Sequence, residues 1–121
     1  MVDIFIKKNN GKVSYLRAKG HAGYDTYGKD IVCSAISSII TGGFNALNDL
    51  DKFDISLNSG EALLLSKYEC SKHDSIVLET IITQLKTIEN SYPKHLKILI
   101  LENEENKGVI YETIKACLWS C

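Results

Sequence analysis

Cys33 and His21 are the side chains of this sequence whose types and placement fit chemistry. A thiol is a nucleophile and an imidazole is a common base for activating one. Together they suit covalent attack on an acyl carbon, the ring taking the thiol proton and returning a proton to the leaving amine. Asp30 is a good helix N-cap, and counting from it makes Cys33 the third helical residue. Amide hydrogens at the start of a helix lack intrahelical partners and favour negative charge, so a sulfur placed there is primed for attack. The same amides are candidates for stabilising an oxyanion. Each residue also has a plain structural use: a cysteine in an apolar helix is commonly a small core residue, a histidine after a strand packs or solvates, and an aspartate at this position caps.

The elements that must bring these groups together follow from periodicity and turn signals. Ile4 and Ile6 alternate with Asp3, Phe5 and Lys7, and a second strand-like run over Lys12 to Lys19 follows the turn signal Asn9-Asn10-Gly11, which predicts an antiparallel hairpin. Gly20 to Lys29 holds Gly20, Gly23 and Gly28 and has no apolar period, so it reads as a loop that carries His21 at its start. From Asp30 the chain turns apolar and small, which predicts a buried helix reaching about Leu50. Phe53 to Leu57 and Ala62 to Tyr68 form a second predicted hairpin about Asn58-Ser59-Gly60-Glu61. Ile76, Val77, Ile81, Ile82, Leu85 and Ile88 mark a helix over Ser71 to Tyr92, which Pro93 stops, and Leu96 to Leu101 is a last strand.

This order, ββαββαβ, predicts an α+β fold: a mainly antiparallel sheet with two helices packed on one face. Residues 1–105 are expected to form one domain, with 106–121 as a C-terminal segment packed on it. In that tail Val109, Ile110, Ile114, Leu118 and Trp119 suit a short amphipathic helix.

The chain has 121 residues, 45% hydrophobic and 24% charged, the balance of an ordinary globular domain. Its net charge of −1 offers no positive field for a phosphate backbone, so direct nucleic-acid binding is not expected. No apolar run approaches the length of a membrane span, and the N-terminus lacks the apolar centre of a secretory signal, which points to the cytoplasm. Cys33, Cys70, Cys117 and Cys121 contain no Cys-x-x-Cys pair, and free thiols are expected there.

Gly20-His21-Ala22 followed by Gly28-Lys29-Asp30-Ile31-Val32-Cys33-Ser34 resembles the signature of the ribosomal-processing cysteine proteases of Firmicutes and related bacteria, the Prp family. There Gly-His-Ala is followed, after a short glycine-containing loop, by Gly-x-Asp-Ile-Val-Cys-Ala. Ser34 replaces the usual alanine. The resemblance implies that His21 and Cys33 are a catalytic dyad, that Asp30 supports it, and that Gly20, Ala22, Gly23 and Gly28 shape a substrate-binding loop. It further implies a peptide substrate, the N-terminal extension of a large-subunit ribosomal protein, the one numbered twenty-seven, and a homodimer. No cofactor is implied.

Other readings compete. Cys70, His73, Cys117 and Cys121 are of types that ligate zinc if the fold converges them, although neither pair is a strong motif, and no metal is expected. His95, after Pro93 and Lys94, reads as an exposed turn residue. A noncatalytic ribosome-associated peptide-binding module would use the same loop without a reactive Cys33, and a redox sensor would oxidise Cys33 reversibly without cleaving peptide. Finally, the glycine-containing loop is expected to be mobile without substrate and to order over a bound peptide; a rigid turn is the alternative.

Overall fold

Asn10 and Gly11 both adopt positive φ (52° and 78°), the left-handed pair that closes a two-residue hairpin with the right strand twist. That turn joins β1 (Val2–Asn9) to β2 (Lys12–Gly20), which pair antiparallel. The computed structural model describes residues 1–26 and 28–103. The expected segment 106–121, with its proposed helix, lies outside them.

β1 follows simple alternation, burying Val2, Ile4 and Ile6. β2 does not: Val13, Leu16 and Ala18 are all buried, a spacing no single strand period allows. A register shift between Lys7 and Lys8 resolves it, since Lys7 pairs with Tyr15 and Lys8 with Val13, leaving Ser14 as the extra residue of a bulge. Ser14 Oγ donates to the Lys7 carbonyl across it.

The remaining elements are α1 (Ile31–Asn45), a 3-10 turn (Leu50–Lys52), β3 (Phe53–Asn58), β4 (Glu61–Ser66), α2 (Lys72–Ser91) and β5 (Leu96–Asn103). The sheet runs β3-β4-β2-β1-β5, antiparallel throughout except that β5 lies parallel to β1. The predicted order and fold class are therefore those observed. α1 is shorter than predicted. Its end at Asn45 frees the amides of Asn48 and Asp49, which donate to Asp74 on α2 at 2.8 and 3.0 Å, a tertiary pull that local pattern does not reveal.

The two helices cover the apolar sheet face and touch each other. α1 contributes the stripe Val32, Ile36, Ile40 and Phe44, and α2 contributes Leu78, Ile81, Ile82 and Leu85. A Cβ on Gly43 would run into the Ile81 side chain, so the glycine sets how closely the helices approach. Truncating Leu78 or Leu85, both fully buried, to alanine is worth about 2–5 kcal/mol. Among the described residues, no helix is long and apolar enough to cross a membrane.

Candidate functional site

At one end of the sheet the last residue of β2, the β3–β4 turn, the starts of β1 and β5 and the N-terminus of α1 converge. Register places them there: Val2 pairs with both Gly20 and Leu96, and Lys19 pairs with Glu61. Gly20 has φ +111°, and a Cβ on it would collide with the Met1 carbonyl. The chain can therefore leave β2 close against β1, and His21 is the first residue beyond the strand.

His21 is exposed, and its ring lies against the β3–β4 turn. A Cβ on Gly60, whose φ is +74°, would come within 2.9 Å of His21 Nε2. The same turn accepts a hydrogen bond at its Gly60 carbonyl from the Gly20 amide at 2.9 Å. Cys33 stands opposite, in the first turn of α1, half-buried and unbridged. Both side chains line a groove of about 260 Å³ floored by Val2, Ala18, Ile36, Ile40, Leu57 and Ala62. They also line a second depression of about 540 Å³ on the loop side, with Gly23, Asp25, Gly28, Asp30 and Ser34. Ser37, one helical turn beyond Cys33, borders both. His21, Cys33 and Ser37 thus mark the ridge where the two depressions meet. Among the described residues, no hydrogen bond joins His21 to Cys33.

Asp30 caps α1 as expected and does more than cap. Its Oδ1 accepts from Cys33 N at 2.9 Å, while Oδ2 accepts from Tyr24 N at 2.9 Å and Asp25 N at 3.3 Å. Burial by itself would raise the Asp30 carboxyl; the amides of Cys33, Asp25, Tyr24 and Val32 outweigh it and hold the group below its ordinary value. The Ser34 amide donates to the Asp30 carbonyl at 3.0 Å. Early amides of α1 that suited an oxyanion are thus already bound to Asp30, and in this state the helix start does not present Cys33 N–H or Ser34 N–H to a substrate.

Ala22 is buried, and its carbonyl is taken by His95 Nδ1 at 2.9 Å. His95 is half-buried and bonded, not the exposed turn residue expected; nothing local in Pro93-Lys94-His95 signals a partner across the fold. Gly60 and Ser37 were likewise missed, the first because its turn reads only as a turn. Of the zinc alternative, Cys70 is buried, His73 Nδ1 is bonded to Asp74 at 2.9 Å, and Cys117 and Cys121 lie outside the described residues.

A five-stranded sheet with two helices on one face and a cysteine at a helix start beside a histidine is an architecture suited to a small cysteine protease, and comparison with known proteins gives the same class. The family model described as cysteine protease Prp matches residues 1–97, and the chain belongs to that family. It is 39% identical over 107 residues to the ribosomal processing cysteine protease Prp of Mycoplasma genitalium, covering 88% of this chain and 98% of that relative. To the Prp of Staphylococcus aureus strain Mu50 it is 32% identical over 101 residues, covering 80% and 94%. The crystal structure of the Staphylococcus aureus ribosomal processing protease Prp with a covalently linked product peptide superposes with a TM-score of 0.76 at 28% identity, over 83% of this chain and 99% of that one. This protein is a cysteine protease of the ribosomal-processing type.

Proposed function

We propose that the chain is an endopeptidase that removes the N-terminal extension of a large-subunit ribosomal protein, the one numbered twenty-seven, by attack of Cys33 with His21 as general acid and base. The observation that carries this reading is that both side chains line the same groove, at its junction with a second depression on the loop side. An extended peptide crossing that junction would set apolar side chains on Ile36, Ile40 and Leu57 and bring its scissile carbonyl to the Cys33 sulfur. The sulfur bonds to the carbonyl carbon while its proton passes to the imidazole. The tetrahedral adduct then collapses, the carbon–nitrogen bond breaks, and the imidazolium protonates the departing amine. Water, losing a proton to His21, hydrolyses the thioester to a carboxylate and restores the thiol. Asp30 supports the dyad by holding the loop and the helix together, its oxygens being committed to Cys33, Tyr24 and Asp25.

The His21 ring lies against Gly60, and substrate binding is what brings it into line with Cys33. Gly20 and Gly60 border the groove, and Gly23 and Gly28 the loop-side depression, where they contact the peptide's far side. The cytoplasm, where ribosomes assemble, is the compartment of this reaction. A homodimer is part of the same proposal: Leu65 and Leu99 leave apolar surface exposed (41% and 49%). Sedimentation should give twice the chain mass at micromolar concentration, and a monomer throughout that range removes this part. The decisive test incubates the precursor ribosomal protein with wild type and Cys33→Ala and reads the products by mass spectrometry. A single shortened product that needs Cys33 supports the reading; an intact precursor with the wild-type enzyme overturns it.

A further inference from the structure

The backbone on both flanks of His21 is held by a hydrogen bond to a distant part of the chain. Before it, the Gly20 amide donates to the Gly60 carbonyl at 2.9 Å. After it, the Ala22 carbonyl accepts from His95 Nδ1 at 2.9 Å. A carbonyl oxygen only accepts, so His95 carries its proton on Nδ1, and the bond persists whether the ring is neutral or charged.

His95 is itself well anchored. Its carbonyl accepts from Val2 N at 2.9 Å and its amide donates to Tyr92 O at 3.0 Å, tying it to the first residue of β1 and the end of α2. Its ring meets Tyr24 nearly edge-on at 5.4 Å, and Tyr24 meets Tyr92 in the same way at 5.4 Å. The donor therefore sits on the rigid end of the sheet. It points at a carbonyl one residue beyond His21, and the Ala22 side chain is buried beneath.

We propose that His95 is a positioning residue for His21: by fixing the Ala22 carbonyl while Gly60 fixes the Gly20 amide, it sets the direction in which the His21 imidazole leaves the backbone. Between the two anchors lie only the torsions of Gly20, His21 and Ala22, because the peptide planes themselves do not turn. Losing the second anchor leaves the ring free to swing away from the groove. The bareness of Gly60 completes the arrangement, since a side chain there would occupy the space of the ring. This inference rests on the catalytic role proposed for His21.

Two substitutions separate the hydrogen bond from the ring packing. His95→Phe keeps an aromatic ring against Tyr24 but has no donor; His95→Asn offers an amide donor close to the position of Nδ1 but has no ring. With the precursor ribosomal protein as substrate, His95→Phe should lower kcat about tenfold or more while KM stays within about threefold, because a misplaced base costs turnover more than binding. His95→Asn should recover kcat to within about threefold of wild type. A wild-type kcat for His95→Phe, or a His95→Asn enzyme as slow as His95→Phe, overturns the proposal. If His95→Phe does not fold, His95→Ala replaces it in the comparison: Asn faster than Ala by about tenfold supports the proposal and equal rates overturn it. His21→Ala in the same assay distinguishes two failures. Should it remain active, the role of His21 falls along with that of His95; should it be inactive while His95→Phe turns over normally, only the positioning role falls.

Discussion

Two buried aspartates stand at the starts of the two helices and use their carboxylates in the same way. Asp30 draws the amides of Tyr24 and Asp25 onto the first turn of α1, and Asp74 draws those of Asn48 and Asp49 onto the first turn of α2, with His73 Nδ1 as a further partner. Asp74 sits in a capping arrangement of its own, its amide donating to Ser71 Oγ at 3.1 Å. Burial would raise both carboxyls, and in both the donors win: Asn48, His73 and Asp49 at Asp74, the four backbone amides at Asp30. Each group therefore ionises below its ordinary value. A lowered carboxyl accordingly does not by itself mark a reactive site here. The difference lies in what each ties down: Asp74 closes a connection on the way to β3, whereas Asp30 closes the loop between His21 and Cys33. The same local chemistry closes a structural connection in one place and, under the proposed mechanism, supports catalysis in the other because the neighbours differ.

The comparison is tested most severely at Cys33. Cys33→Ala should abolish cleavage of the precursor and Cys33→Ser should leave it undetectable or nearly so, both with wild-type far-ultraviolet circular dichroism; turnover by the alanine variant would break the assignment. His21→Ala should remove most activity, on the order of a hundredfold or more in kcat, measured in the same assay.

Next in size is the contrast between the aspartates. Asp30→Asn should lower activity by more than its change in melting temperature explains, since one accepting oxygen is replaced by an NH2 group that cannot accept from a backbone amide and the loop loses part of its hold. Asp74→Ala should do the reverse, costing about 1–3 kcal/mol in chemical denaturation by stranding the Asn48 and Asp49 amides, with kcat at 25 °C unchanged. Equal effects of the two on kcat would dissolve the distinction drawn here.

Acid should reveal both together. A carboxyl with a lowered folded pKa contributes stability that is complete above the unfolded value, ordinarily 3.8, and is lost as the pH falls through the lower folded value. Melting temperature should hold steady from neutral pH to about 4.5 and decline below it, and Asp74→Asn should make that decline shallower.

The smallest expected effect concerns the loop. The amides of Tyr24 and Asp25 donate to a buried carboxylate and Ala22 is latched to His95, so the loop is anchored at several points before any peptide arrives. Those two amides should exchange slowly in the free enzyme and gain little protection with a noncleaved substrate peptide, whereas the exposed Gly28 and Lys29 should gain more. Rapid exchange at Tyr24 and Asp25 would restore the fully mobile gate that glycine content suggests.

Much of this architecture was written locally. Asn10-Gly11 specifies its hairpin because both residues accept positive φ at little cost, and Asp30 and Ser71 mark helix starts because their side chains reach amides three residues on. The spacing of Val32, Ile36, Ile40 and Phe44 makes a helix with one buried face, and that helix start beside a glycine-containing loop singled out Cys33 and His21. What the chain could not reveal from neighbours in sequence was settled by contacts across the fold. The bulge at Ser14 appears only when β2 is aligned on β1, and α1 stops at Asn45, short of the expected Leu50, with Asp74 binding the amides beyond it. The seat of His21 on Gly60 and its bracing by His95 need β2, the β3–β4 turn and the start of β5 to meet at one end of the sheet. Capping, turn and periodicity signals act within a few residues and so can be read along the chain. The orientation of the His21 ring depends on donors and bare surfaces dozens of residues away, which only the packed sheet brings within hydrogen-bonding distance.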